Sequence, residues 1–352
     1  MAEKKCNNKC KIKMTDSESS YGFVNELSEK GGRFLTTTYS VFSGIELIYN
    51  DAHIMSVESK APSGNVIEIN HCREGRMECH YRDEFCYVAP GDLVIGRAEE
   101  KSQTTYFPLS HYHGITVRID VDRAPSCLSC LLDDVNVKPQ AIAEKFCGEK
   151  SCFIARSDPS VEHIFSELYS VPEEIKRGYF KIKILELLLF LSVLDTGENE
   201  IDSVYSAMQV DLAKQVSVYL TKNMDKRITL EQIARHFHVS GTHIKNIFKG
   251  VYGVSLYAYT RAIKMESAAY MLEYTDRTVT DIAGEHGYDN SSKFAQAFRE
   301  VKGMTPSEYR SKNKNVRLEP FSILLERKRL RFACKIMYEE RQCGYDLCIR
   351  IA

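Results

Sequence analysis

The sequence predicts an α+β protein in two parts: an antiparallel β-barrel with helices after it, then an all-α unit of two helix-turn-helix motifs joined by a long helix. Three observations carry this. Between residues 34 and 121, Thr, Tyr, Val and Ile recur in short alternating runs, such as 34–42, 45–49, 66–70 and 114–119. Turn residues break them about every ten positions, the texture of an antiparallel sandwich or barrel. From residue 159 the apolar spacing changes to 3 and 4, the helical period. Two stretches, 228–255 and 279–310, then repeat one order of cap, apolar pair, turn and aromatic residue.

Composition narrows the class. A chain of 352 residues with 43% hydrophobic and 27% charged residues can fill two globular cores and is neither disordered nor fibrous. The net charge of −1 hides an uneven distribution. Residues 211–312 hold 15 Lys/Arg against 11 Asp/Glu, whereas residues 1–210 hold 23 against 32. The basic excess accompanies the helix-turn-helix motifs, as phosphate binding requires. Twelve cysteines are irregularly spread without an N-terminal signal sequence, so reduced thiols in a cytoplasmic protein are expected. The longest apolar run, 184–194, contains Glu186 and Ser192 and falls short of the roughly 20 residues a bilayer span needs. No membrane association is expected.

The chain opens with a polar, lysine-rich stretch, 1–32, ending in Gly31-Gly32 and expected to be a mobile arm. Cys6 with Cys10, and Cys127 with Cys130, have the spacing of zinc half-sites but lie over a hundred residues apart. Ordinary thiols are the expectation. The barrel occupies 33–125, with turns at Glu74-Gly75 and Pro90-Gly91-Asp92. His111 and His113 form its one His-x-His and would share a strand face; with His71 and His80 they are expected to line a rim or pocket rather than hold a metal. Helices follow at 159–171 and 172–194, within a helical region 126–197. In the second, Ile175, Tyr179, Ile182, Leu185, Leu189 and Val193 form a stripe that Phe180, Ile184, Leu187, Leu188 and Leu191 widen. A polar linker spans 198–210.

In 211–312, an amphipathic helix over 211–223 precedes the first motif, where Thr229 and Gln232 make a capping box, Ile233-Ala234 fill the interior and Ser240 caps the second helix. A connecting helix over 257–274 leads to the second copy. There Ile282-Ala283 pack inward, Gly287 closes one helix, Asp289 or Asn290 opens the next, and Phe294 and Phe298 pair at i,i+4. Gly303 ends that helix before Thr305-Pro306 start another. The strut would hold two reading helices about one DNA turn, ~34 Å, apart. The extension, 313–352, adds 9 basic against 5 acidic residues. A helix over 318–340 carrying Arg327, Lys328, Arg329 and Arg331 would add non-specific DNA affinity; a poorly packed tail is the alternative.

The spacing of Ile282-Ala283, Gly287-Tyr288, Phe294-x-x-x-Phe298-Arg299, Gly303-x-Thr305-Pro306 and Tyr309-Arg310 resembles the AraC/XylS family of bacterial transcription regulators over residues 211–312. A family variant that repairs alkylated DNA adds a four-cysteine zinc module, which the cysteine positions here do not match. The resemblance implies that Thr242, Lys245 and Asn246, then Ser291, Ser292 and Gln296, contact bases. Well-studied members often carry arginine where Asn246 and Gln296 stand; an amide there suits adenine. Lys249 and Arg299, at helix ends, fit phosphates. The Pro-Gly-Asp turn after the aromatic strand 85–88 looks like that of cupin-type barrels, the sensory domain many such regulators carry. The resemblance therefore implies a small-molecule effector in the barrel mouth, dimerisation through the helices after it, and activation at promoter DNA with RNA polymerase as partner. No cofactor, metal or catalytic residue is expected. The rival is a cupin-type metal-dependent enzyme fused to a DNA-binding domain.

Overall fold

The computed structural model describes residues 22–29, 32–59, 64–81, 84–98, 103–126, 128, 137–148, 152–195 and 204–313. The readings for Cys6, Cys10, Cys127, Cys130 and the extension past residue 313 lie outside these residues.

Alternation of branched and aromatic residues yields β1 (Gly22–Glu29), β2 (Gly32–Phe42), β3 (Ile45–His53), β4 (Ser56–Ser59), β5 (Val66–Gly75) and β6 (Met77–Tyr81). β7 (Glu84–Val88), β8 (Asp92–Arg97), β9 (Gln103–Tyr106) and β10 (Tyr112–Asp120) follow. The chain then alternates α1 (Pro139–Cys147), β11 (Cys152–Arg156), α2 (Pro159–Leu168) and α3 (Lys176–Val193), and returns to a strand at β12 (Val204–Ser206). A seven-stranded antiparallel sheet has the order β1-β2-β3-β10-β5-β8-β11; a second sheet is β12-β7-β6 and a third is β4-β9.

The period of two divides the large sheet's residues between two cores. Ile45, Leu47, Ile67, Ile69, Leu93, Ile95, Ile115, Val117 and Ile119 pack under α1, α2 and α3. Ala52, Cys72, Val94, Cys152 and Ile154 face the other way, onto Val57, Val88 and Phe107. The expected closed, cupin-like barrel is therefore corrected: among the described residues the strands form three sheets. The physical reason is edge occupancy. β11, arriving from beyond α1, takes the free side of β8, and β1 takes the far side of β2, so the two edges do not meet. The arm reading is corrected for residues 22–29, which pair with β2 from Gly22↔Tyr39 to Glu29↔Gly32. Residues 204–206, in the expected linker, pair with β7.

α2 and α3 are separated by a short 3-10 turn at Glu173–Ile175. In α3 the widening set, Phe180, Ile184, Leu187, Leu188 and Leu191, is what fills the core, each at 0% exposure. The stripe itself is divided: Tyr179, Leu185 and Leu189 are partly buried against that core, while Ile175, Ile182 and Val193 are 52%, 62% and 76% exposed.

Among the described residues seven more helices follow: α4 (Ala207–Lys222), α5 (Leu230–Phe237), α6 (Gly241–Tyr252), α7 (Leu256–Tyr274), α8 (Val279–Glu285), α9 (Ser291–Lys302) and α10 (Pro306–Asn313). Two helix-turn-helix cores form: Val216, Leu220, Ile233, Ile244, Ile247 and Phe248 in the first, and Leu272, Ile282, Phe294 and Phe298 in the second. No helix among the described residues is long and apolar enough to cross a membrane.

Candidate nucleic-acid interface

α6 begins where the Ser240 hydroxyl accepts the His243 amide at 3.2 Å, satisfying one of the donors a helix start leaves open. Its apolar period buries Ile244, Ile247 and Phe248, the last stacked on Tyr252 with ring centroids 4.4 Å apart. Thr242, Lys245, Asn246 and Lys249 are thereby turned to solvent. α5, which supports α6, has the expected capping box: Thr229 Oγ1 accepts the Gln232 amide at 3.3 Å, and Gln232 Oε1 accepts the Thr229 amide at 2.8 Å.

The second copy repeats the arrangement. Of the two expected caps for α9, Asn290 is the one used, its Oδ1 accepting the Ser292 and Lys293 amides at 2.8 and 3.2 Å. Phe294 and Phe298 are fully buried, which exposes Ser291, Ser292, Gln296 and Arg299. Gly287 takes φ +71° at the turn, and His238 takes φ +54° at the matching place in the first copy, ending α5 in the left-handed conformation. Each helix thus brings its expected base-contacting and phosphate-contacting residues onto one exposed face. The sequence reading did not anticipate that Gln296 Nε2 donates to Glu300 Oε1 at 3.0 Å. Glu300 in turn pairs with Arg261, and these contacts, that of Arg261 foremost, hold its carboxyl below the usual range. An i,i+4 Gln–Glu spacing was the available signal.

Three further groups were missed because they act between elements. Lys264 on α7 is buried, and its Nζ donates to Lys226 O at 3.1 Å and His286 O at 2.9 Å, tying the strut to the turn before the first copy and to the turn within the second. Burial lowers its pKa. Arg76, between β5 and β6, reaches the end of α6: Nε donates to Val251 O at 2.8 Å, and Nη2 to Gly250 O. A cation at a helix C-terminus satisfies orphan carbonyls and complements the dipole. Beside it, the Lys214 ammonium of α4 lies 3.1 Å from Glu78 Oε2, which also accepts from Tyr87 Oη at 2.6 Å. Near α5, Lys226, Arg227, Arg235 and His236 line a concavity of about 500 Å³, a second basic surface on the first copy.

A family model described as a helix-turn-helix domain matches residues 233–312. The Tn10 transposon protein TetD of Escherichia coli is 32% identical over 106 residues, which are 30% of this chain and 76% of that protein. The chain belongs to the AraC/XylS family. The activator AarP of Providencia stuartii is 29% identical over 106 residues, covering 30% of this chain and 78% of AarP. The uncharacterised regulator YtdP of Bacillus subtilis is 24% identical over 230 residues, 62% of this chain; that match spans 29% of YtdP. As an AraC/XylS protein the chain is a DNA-binding transcription regulator, with α6 and α9 as the second helices of its two helix-turn-helix motifs.

Proposed function

We propose that the chain is a dimeric promoter-binding activator in which the sheet domain senses a small effector and passes the signal to α6. The observation that carries this is the division of α6 between two tasks. Its first turns present Thr242, Lys245 and Asn246 to solvent, while its last carbonyls are held by Arg76 from the sheet domain. A change near Arg76 therefore alters how one reading helix is held while the second copy, in a separate core, keeps its footing. Activation, with RNA polymerase as partner, is favoured by the similarity to AarP. Dimerisation is favoured by the outward apolar residues of α3. In α6 and α9, Thr242, Lys245, Asn246, Ser291, Ser292 and Gln296 read bases, and Lys249 and Arg299 hold phosphates. Gln296 must exchange Glu300 for a base edge, so Asn246 contributes the larger share of discrimination.

The test uses a duplex selected from a random pool with the full chain, against a scrambled duplex, at several salt concentrations. Asn246→Ala should cost ~1–3 kcal/mol on the selected duplex and little on the scrambled one. Lys249→Ala should weaken both alike and shrink the salt slope by about one unit. An unchanged selected-to-scrambled ratio for Asn246→Ala, with collapse of that ratio for Lys249→Ala, would reverse the assignment.

A further inference from the structure

We propose that His53, His111 and His113 form a binding site for one divalent transition-metal ion of the zinc, nickel or copper class, and that this ion is a signal the sheet domain delivers to α6. The second clause rests on the regulator reading above; the first does not. His53, at the end of β3, is fifty-eight residues from the His-x-His pair in sequence, and antiparallel pairing of β3 with β10 brings the three rings together. Their ring centroids are 4.6 to 5.2 Å apart.

The three rings lie close enough for one nitrogen from each to reach a common ion. His113 Nε2 lies 3.3 Å from His53 Nε2, and His111 Nδ1 lies 3.4 Å from His53 Nδ1. A tetrahedral ion at ~2.0–2.1 Å from each nitrogen sets its ligands about 3.3–3.4 Å apart. The two contacts use opposite nitrogens of His53, of which one ion takes one, and a set with one nitrogen from each ring lies within 4.8 Å of one another. Asp51 Oδ1 lies beside the three rings, 2.8 Å from His53 Nε2 and 2.9 Å from His113 Nε2. That oxygen is buried and in hydrogen-bond geometry with neither ring.

The opposite nitrogens of the pair face one carboxylate. Glu74 Oε2 is 3.5 Å from His111 Nε2 and 3.8 Å from His113 Nδ1. A carboxylate behind ligating imidazoles orients them and raises their basicity. A bulge places it there, since His113 pairs with Glu74 while Gly114 pairs with Cys72. All three rings keep partial solvent access, so an ion has an entry path. A set of three imidazoles suits zinc, nickel or copper(II) rather than calcium or magnesium.

The route to α6 is two residues long. Glu74 is followed by Gly75, whose φ of +85° and closeness to His111 O leave no room for a Cβ, and then by Arg76. The Arg76 amide donates to His111 O at 3.2 Å, while its guanidinium holds the end of α6. Drawing His111 and His113 onto an ion therefore moves the peptide that aims Arg76.

The full chain, stripped with a chelator, is titrated with Co²⁺ and with Zn²⁺ in the presence of a competing indicator. Expected is one ion per chain, with Co²⁺ giving the visible absorption of imidazole ligation, and a loss of affinity of ~10–100-fold or more in His53→Ala and in His113→Ala. His163→Ala, an exposed residue of α2, should bind as the wild type does. Circular dichroism of the stripped variants confirms that they fold, and the cobalt spectrum of the unsubstituted chain stands without them. Absence of saturable binding, or equal binding by His53→Ala, overturns the site. On the selected duplex, loaded and stripped chains should differ in affinity at least threefold, and the difference should vanish in His53→Ala. Equal affinities overturn the ion as signal. Failure of both forms to prefer selected over scrambled DNA counts instead against the regulator reading, whatever the titration shows.

Discussion

His71 shows how one buried side chain makes stability depend on pH. It is 2% exposed on β5, stacked on Phe165 at 4.3 Å, with Nε2 2.6 Å from Glu162 Oε2. Its Nδ1 is buried without a hydrogen-bond partner. Burial lowers its pKa, and the Glu162 contact and the Asp92 charge oppose this without overcoming it. Because the folded pKa lies below the unfolded value of about 6.5, the unfolded chain takes up the proton first as pH falls. Stability is therefore lost from about pH 6.5 downward until the folded pKa is reached, and above that window the residue contributes no slope. We expect the thermal midpoint to drop between about pH 7 and about pH 5, and to drop less in His71→Gln. Parallel pH profiles for the two chains would show that His71 is not the group responsible.

At the scale of elements, caps and apolar periods make each helix-turn-helix copy, but a single buried cation joins the copies. Lys264 sits on α7 and donates to the turn after α4 and to the end of α8, with Nζ also 5.9 Å from the Tyr288 ring centroid. Lys264→Met keeps the stem's packing and removes both hydrogen bonds. The two carbonyls then lose a charged donor in a buried setting, at a cost of roughly 1–3 kcal/mol. Chemical denaturation of the full chain measures that loss. DNA binding should weaken further than stability accounts for, because the spacing of α6 and α9 is no longer held. A variant that loses stability but binds the selected duplex as tightly as wild type would mean that the strut alone sets the spacing.

At the scale of the molecule, the outward face of α3 is an exposed apolar surface. Ile182 and Val193 of α3, with Ile175 in the turn before it, are more than half exposed, while the other side of the helix is fully packed. We expect the full chain to sediment as a dimer at micromolar concentrations. Ile182→Asp with Val193→Asp should give monomers that still fold, because both side chains are exposed in the single chain while the dimer would have to bury two unpaired charges, costing several kcal/mol. A wild-type chain that sediments as a monomer removes the proposal, as does a variant that remains dimeric.

What the sequence determined by itself was local. Thr229 with Gln232, Ser240, Gly303 and the i,i+4 pair Phe294 and Phe298 announce helix starts, stops and inward faces, because caps and apolar periods act within a few residues. The family resemblance and the exposed faces of α6 and α9 rest on those signals alone. Tertiary structure decided whatever depends on partners distant in sequence. Whether the strands close into a barrel turned on β11 taking the edge of β8, and which face of α3 is buried turned on the sheet beneath it. The meeting of His53 with His111 and His113, and of Arg76 with Gly250 and Val251, follows from strand register and domain packing, which no short-range pattern in a single chain encodes.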